Sequence, residues 1–206
     1  MISYILIGIT VLVSMLAFQQ YSWMEKLKMN PYAVIQYKQY GRILSHIFVH
    51  ADYMHLGVNM FVLWQFGPTV ESAFEDLFGG VGSFYYVFLY FGGAAVASLP
   101  SLKNHSNNPS YSAVGASGAI ASVLFSYILM LPTSMLGIML VIPMPAFLFG
   151  VLYLWYESKM QGKQDLIAHD AHLFGAIFGF VASIAFEPKL ILWFVKQVSA
   201  FFLNFF

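Results

Sequence analysis

The hydrophobic positions of this chain fall into long blocks, and most polar positions fall between them. Six blocks approach the length that a helix needs to cross the hydrocarbon core of a bilayer, about 20 mostly apolar residues. They cover residues 2–18, 55–74, 81–99, 113–131, 135–156 and 171–186. Five of the blocks contain no Asp, Glu, Lys or Arg, and the second contains only Glu71. The pattern therefore predicts an all-α membrane protein with six transmembrane helices.

The two ends of the chain are also apolar. Residues 2–18 lack a basic region before the apolar run and a small-residue cleavage site after it, so we expect a retained first span rather than a signal peptide. Residues 189–206 form an apolar tail that carries Lys189 and Lys196. That pattern favours a helix lying in the membrane interface over a short seventh span. No internal repeat or linker interrupts the chain, which predicts one domain over residues 1–206.

Composition agrees with a protein embedded in lipid. The chain is 60% hydrophobic and only 9% charged, whereas soluble domains carry roughly 25% charged residues. The formal net charge is zero, which gives no electrostatic basis for binding nucleic acid. Because the chain has no cysteine, disulfides, thiolate nucleophiles and Cys-ligated metals are excluded.

The side chains within the spans that could carry chemistry cluster near the starts of the even-numbered ones. His55 and Asn59 begin the second span, Ser117 lies near the start of the fourth, and His172 near the start of the sixth. Because each crossing reverses the direction of the chain, all even spans begin on the same side of the membrane. These residues are therefore expected to share one side and a similar depth. Polar groups inside a membrane are costly and usually functional, so we interpret them as one candidate site.

Ser117 is the candidate nucleophile. A serine hydroxyl is weakly nucleophilic at neutral pH and needs an adjacent base, and the uncharged base types at this depth are histidines. Gly115 and Gly118 flank the serine and leave room for a substrate backbone. Small residues in a span can instead serve helix packing alone, which is the alternative for this motif.

His172 is the candidate base. Gly175 and Gly179 follow it at a spacing that lets a partner helix approach closely. His169 is a second candidate, but it lies nearer the loop, and the glycines follow His172. Asp170 lies on a different side of the helix, so no acid is evidently placed to orient His172. The sequence thus predicts a Ser117–His172 dyad rather than a triad.

His55 and Asn59 are four residues apart and therefore share one helical face. Both side chains can donate hydrogen bonds, and donors that converge on one point stabilise a developing oxyanion. The alternative is an interhelical hydrogen-bonded pair.

Two other classes of function stay open on the residues alone. His46 and His50 are also four residues apart, with Asp52 as the nearby carboxylate, so a histidine-ligated metalloenzyme is one alternative. A small channel or transporter is the other, with the polar cluster lining a pathway. Against a channel, the polar residues stop at shallow depth, and the third and fifth spans carry almost none.

Together these motifs resemble the rhomboid family of intramembrane serine proteases. The resembling positions are Arg42, His46, His50, His55 and Asn59, then Gly115–Ala116–Ser117–Gly118, then His172, Gly175 and Gly179. The resemblance implies a six-helix bundle with a water-filled cavity, in which Ser117 is the nucleophile and His172 the base. It implies an oxyanion site made of His55, Asn59 and the Ser117 backbone N–H.

The resemblance carries further expectations. Glu71 would be a buried structural acid, with Arg42, His46 and His50 in supporting roles, and residues 157–170 would hold a mobile cap. Substrates would be single-span membrane proteins, and no cofactor or metal is implied. The resemblance is to the bacterial type of the family, which implies a multi-pass protein of the inner (plasma) membrane.

Membrane orientation receives two conflicting signals. The three long loops before the even spans hold seven of the nine Lys and Arg residues. The positive-inside rule would therefore place those loops, and the site, on the cytoplasmic face. The resemblance implies a site that opens to the outside, and that orientation is the one we adopt.

Overall fold

The computed structural model describes residues 1–138, 142–161 and 168–203, and its architecture there is mostly helical. The helices are α1 Ile2–Gln19, α2 Tyr21–Leu27, α3 Pro31–Gln36, α4 Arg42–Ser45, α5 Tyr53–Phe78, α6 Gly82–Ala97, α7 Leu99–His105, α8 Ser117–Met130, α9 Ala146–Met160, α10 His169–Phe186 and α11 Lys189–Leu203. Short 3₁₀ turns cover His46–Phe48 and Gly79–Val81. Strands β1, Met135–Ile138, and β2, Ile142–Pro145, pair in an antiparallel hairpin.

Three helical stretches of the described residues are long and apolar enough to cross a membrane. They are Ile2–Gln19, Tyr53–His105 and His169–Phe186. The middle stretch contains α5, α6 and α7, and its chain direction changes at Gly79, where φ is +60°. The shorter apolar helix is α8. The protein is thus a helical membrane protein, and the count of six crossings stays a prediction.

Two of the predicted spans begin later than their hydrophobic blocks. The fourth was expected from residue 113, but α8 begins at Ser117, because Ala113 pairs with Met29 in an isolated β-bridge. The fifth was expected from residue 135, but α9 begins at Ala146, after the hairpin. Pro143 and Pro145 lie in β2. Proline has no N–H to donate and clashes within a helix, which accounts for the later start.

The centre of the bundle is the packing of α8 against α10. Most of α8 is buried, and glycines of α10 make the approach possible. A Cβ added at Gly175 would collide with the carbonyl oxygen of Gly118, and one added at Gly179 would collide with that of Ser122. The close approach expected from the glycine spacing is therefore present, and it brings the starts of the two helices together.

Gly179→Ala is expected to destabilise the protein markedly. Its new methyl group would meet backbone atoms of α8, which cannot turn away, and overpacking typically costs about 1–3 kcal/mol. Gly8→Ala is the matched control, because a Cβ at Gly8 meets nothing within 4 Å. Unfolding in mixed detergent micelles measures both variants. Equal stabilities of the two variants would contradict this packing.

Glu71 caps the N-terminus of α1, although it lies 69 residues further along the chain than Ile2. Its Oε1 accepts the N–H of Ile2 at 2.5 Å, and its Oε2 accepts the N–H of Ser3 at 2.9 Å. The Ser3 hydroxyl donates to the same Oε2 at 2.7 Å. A carboxylate at a helix N-terminus satisfies unpaired N–H groups and complements the helix dipole. This buried acid of α5 therefore attaches the N-terminus of α1 to the bundle.

Candidate active site

The segment before Ser117 is held by the loop that connects α1 and α5. Met29 and Ala113 exchange two backbone hydrogen bonds, each 2.9 Å long. The N–H of Gly115 donates to the carbonyl of His46 at 3.0 Å. Gly115 has a φ of +112°, and an added Cβ would lie 2.6 Å from Cε1 of His55. Glycine is therefore required at position 115 both by its backbone conformation and by the neighbouring imidazole.

His50 links this segment to the first helix. The imidazole is fully buried. Its Nε2 accepts the N–H of Ala116 at 3.3 Å, and its Nδ1 lies 3.0 Å from Oγ of Ser14. Oγ of Ser14 in turn donates to the carbonyl of Phe48 at 2.9 Å. The chain of donors is complete only if His50 is neutral, with its proton on Nδ1. This histidine thus fixes the peptide directly before Ser117.

Acidification is expected to destabilise the protein through this histidine. Burial lowers the pKa of His50 from 6.5 to about 3. Between these values the unfolded chain binds a proton that the folded protein does not, so stability is fully present above pH 6.5 and falls as the pH drops toward 3. The expected loss approaches about 1.4 kcal/mol per pH unit.

Unfolding at several values between pH 7 and pH 5 measures this slope. His50→Gln keeps an acceptor for Ala116 but cannot titrate, so its slope should be shallower than that of the wild type. Burial also lowers the pKa of His46 to about 4, and the variant therefore retains part of the slope. Identical slopes for wild type and variant would refute the assignment.

Arg42 and His46 brace the same loop. Nη1 of Arg42 donates to the carbonyls of Glu25 and Lys28, both at 2.8 Å. Nδ1 of His46 lies 3.2 Å from the carbonyl of Arg42. His46 and His50 therefore hold backbone groups instead of converging on a metal. Within the described ranges, the group of side chains able to hold a metal lies elsewhere, at Glu157, His169 and His172.

Ser117 and His172 lie at the facing starts of two packed helices. Ser117 is the first residue of α8, and His172 is in the first turn of α10. Beside them, a Cβ at Gly118 would lie 3.4 Å from the carbonyl oxygen of Ala171. Among the hydrogen bonds of the described residues none joins the two side chains. Catalytic hydrogen bonds are often long without substrate and tighten in the Michaelis complex.

His55 and Asn59 lie near the start of α5, and the ring of His55 faces the segment before Ser117. The ring centroid of His55 is 5.0 Å from that of His50, edge to face. The His55 ring also lies beside Gly115, where it would clash with an added Cβ. Asp52 caps the helix here by accepting the N–H of His55 at 2.8 Å. Nδ2 of Asn59 donates to the carbonyl of His55 at 2.8 Å. One of the two amide hydrogens of Asn59 is therefore used within its own helix.

An acid that the sequence did not reveal lies beside His172. Oε1 of Glu157 is 3.0 Å from Nδ1 of His172, and Oε2 is 2.5 Å from Nδ1 of His169. The sequence identified no carboxylate beside His172, and the structure places Glu157 there. Residue 157 was assigned to the cap, but α9 continues to Met160 and carries Glu157 into the bundle. Residues 162–167 of the expected cap lie outside the described residues.

A sequence signal for this acid existed. The end of an odd span lies on the same membrane face as the start of the next even span, so the end of the fifth span belongs to the side of the site. The same argument placed the long loop that begins at Glu157 on the side of the site, but it said nothing of which side chains meet there. Glu157 could therefore have been named as an acid on the side of His172, although its contact with His172 could not.

Comparison with known proteins gives one family. The family model of the rhomboid domain matches residues 37–189. Rhomboid protein 1, mitochondrial, of Saccharomyces cerevisiae is 29% identical over an alignment of 160 residues, which covers 71% of this chain and 43% of that protein. Presenilin-associated rhomboid-like protein A, mitochondrial, of Danio rerio is 31% identical over an alignment of 139 residues, which covers 64% of this chain and 34% of that protein. The chain thus spans less than half the length of these relatives.

These relatives correct the expected location. The human relative, presenilin-associated rhomboid-like protein, mitochondrial, is 27% identical over 66% of this chain and 35% of its own length. All three relatives are named as mitochondrial proteins. The expected location in the inner (plasma) membrane of the cell is therefore wrong, because these relatives carry mitochondrial names. The bacterial type of the family stays a prediction. Apolar spans indicate that a chain enters a bilayer, but they do not indicate which membrane of the cell it enters.

Proposed function

Because the chain belongs to the rhomboid family, we propose that it is a serine endopeptidase that cleaves transmembrane segments of membrane proteins. The observation that carries the proposal is the meeting of two helix starts. Ser117 begins α8, His172 lies in the first turn of α10, and glycine contacts hold these helices together. A nucleophile and a base on such helices are the parts that acyl transfer requires.

The proposed reaction begins with transfer of the hydroxyl proton of Ser117 to Nε2 of His172. Oγ then attacks the scissile carbonyl carbon and forms a tetrahedral intermediate. Collapse breaks the C–N bond, and the imidazolium returns its proton to the leaving amine. Water activated by the same imidazole hydrolyses the acyl-enzyme and regenerates Ser117. Every step uses side chains of this chain, and none uses a metal.

The start of α8 supplies the groups that would stabilise the oxyanion. The first N–H groups of a helix have no partner within the helix. The residue before α8 is Ala116, and no side chain caps the helix. The N–H of Ser117 can therefore donate to a developing negative charge, which the helix dipole also favours. We propose His55 and Asn59 as side-chain donors, with the second amide hydrogen of Asn59 serving this role.

The proposed substrates are single-span membrane proteins. Ser117, His55 and His172 all lie at helix starts, so the site is near one end of the bundle and not at its centre. A substrate helix must expose a carbonyl to Ser117, and residues near its own end can unwind at the least cost in backbone hydrogen bonds. In this proposal α1, α5, α6, α8, α9 and α10 are the six crossings, and α11 lies in the interface.

The test is labelling of the reconstituted protein with a fluorophosphonate, together with cleavage of a single-span substrate in the same vesicles. Wild type and Ser117→Ala are compared. Covalent labelling that depends on Ser117 supports the proposal. Cleavage that is lost with a chelator and restored by zinc would replace it with a metal-dependent reaction.

A further inference from the structure

Glu157 lies between two imidazoles and contacts each with a different oxygen. Oε1 is 3.0 Å from Nδ1 of His172, and Oε2 is 2.5 Å from Nδ1 of His169. Glu157 and His169 are only 4% and 3% exposed. A carboxylate this buried is costly unless its oxygens accept hydrogen bonds. Both oxygens of Glu157 have an imidazole partner, so the three side chains form one connected cluster.

Local geometry explains how one carboxylate reaches both rings. His169 and His172 are three residues apart in α10, which places them on one face about one helical turn apart. Glu157 lies in the last turn of α9, beside that face. The two oxygens of one carboxylate can then meet the two Nδ1 atoms, as the distances require.

The contacts also define the protonation of His172. A carboxylate accepts hydrogen bonds and does not donate them, so Nδ1 of His172 carries the proton. In the neutral imidazole Nε2 is then without a proton and can accept one. This is the tautomer that the proposed reaction requires, because Nε2 must take the hydroxyl proton of Ser117. The same carboxylate would face the imidazolium that forms during the reaction.

We propose that Glu157 is a positioning residue that fixes the tautomer and orientation of His172, and that His169 holds Glu157 in place. The site is then a serine–histidine–glutamate arrangement, with His169 as a fourth member behind the acid. This inference rests on the proposed function, because it concerns the base of that reaction. It replaces the dyad that the sequence predicts with a site in which an acid supports the base.

The first experiment measures kcat and KM of Glu157→Gln against a single-span substrate in vesicles. We expect kcat to fall by about 10²- to 10⁴-fold, the larger figure being the loss when the triad Asp of a soluble protease becomes Asn. KM should change little, because Glu157 acts on the base and not on the substrate. Glu157→Asp keeps the charge and should recover part of kcat. Glu75→Gln is the matched control, since Glu75 is exposed.

The second experiment tests His169 through a double-mutant cycle. If His169 acts through Glu157, its loss should add almost nothing to the effect of Glu157→Gln. Losses in kcat that multiply would show that His169 acts independently, and would overturn its assigned role. A folded Glu157→Gln protein with the kcat of the wild type would overturn the role of Glu157.

A measurement on the wild type covers the case in which the variants do not fold. Nitrogen-15 NMR of imidazole-labelled protein, assigned with His172→Ala, reports the tautomer of His172 directly. A proton on Nδ1 is expected, and a proton on Nε2 in the neutral ring would overturn the proposal. Zinc-dependent activity would also overturn it, because Glu157, His169 and His172 would then be metal ligands. Failure of the proposed function itself is distinct, since Ser117 would then escape fluorophosphonate labelling in the wild type.

Discussion

Ser117→Ala is expected to reduce cleavage of a membrane substrate to background and to abolish fluorophosphonate labelling. Removing the nucleophile of a soluble serine protease lowers kcat by about 10⁶-fold, and the same scale applies if Ser117 forms the acyl-enzyme. The variant should fold normally, because the change removes one hydroxyl from a half-buried residue. Glycine packing of α8 against α10 is not touched by it.

The measurement is product formation in vesicles, together with labelling detected on gels. Ser110→Ala is the matched control, because it removes the same hydroxyl from an exposed loop position and should behave as the wild type. The two variants should have the same stability against unfolding. Cleavage by a folded Ser117→Ala protein at the wild-type rate would exclude the serine-protease mechanism.

The helical membrane fold and the meeting of the starts of α8 and α10 were accessible from the sequence. The blocks are set by the hydrophobic thickness of a bilayer, so their length alone indicates a membrane-crossing helix. Parity then brought Ser117 and His172 to one face without any knowledge of packing. The glycines at 175 and 179 predicted close approach, and the backbone of α8 does lie against both.

The starts of α8 and α9 were less accessible, because they depend on contacts distant in the chain. Ala113 is apolar enough to continue a span, but it pairs with Met29 across more than eighty residues. Hydropathy does not encode such pairing. Before α9, by contrast, Pro143 and Pro145 were visible in the sequence. The length of the apolar run was given more weight than these two prolines, which is why a helix was expected from residue 135.

Glu157 was missed for a physical reason as well. A charged residue at the end of a span can be solvated at the interface, so its position alone does not indicate a buried partner. The burial of Glu157 depends on α10, which brings two imidazoles to the same face, where they donate hydrogen bonds to the carboxylate. The need for a partner could be inferred for a buried acid, but the burial itself could not be read from a single position.

The last prediction separates the two neighbouring histidines. His172→Ala should eliminate both cleavage and labelling, because Ser117 would lose its base, and the expected loss in kcat is again about 10⁶-fold. His169→Ala should keep substantial activity. It removes one hydrogen-bond donor from Glu157, and a hydrogen bond contributes about 0.5–1.5 kcal/mol, which corresponds to roughly a 2- to 13-fold loss in rate.

The difference between these histidines follows from helical geometry. Residues three apart lie about 4.5 Å apart along the helix axis, whereas proton transfer needs heavy atoms about 2.6–3.2 Å apart. Both imidazoles therefore cannot serve the hydroxyl of Ser117 equally. His172 lies one turn further into α10 and precedes the glycines that contact α8, while His169 is buried beside Glu157. Rates of cleavage and labelling, measured on folded variants, decide the assignment. An active His172→Ala protein beside an inactive His169→Ala protein would reverse the two roles, because only the base itself is indispensable to the activation of Ser117.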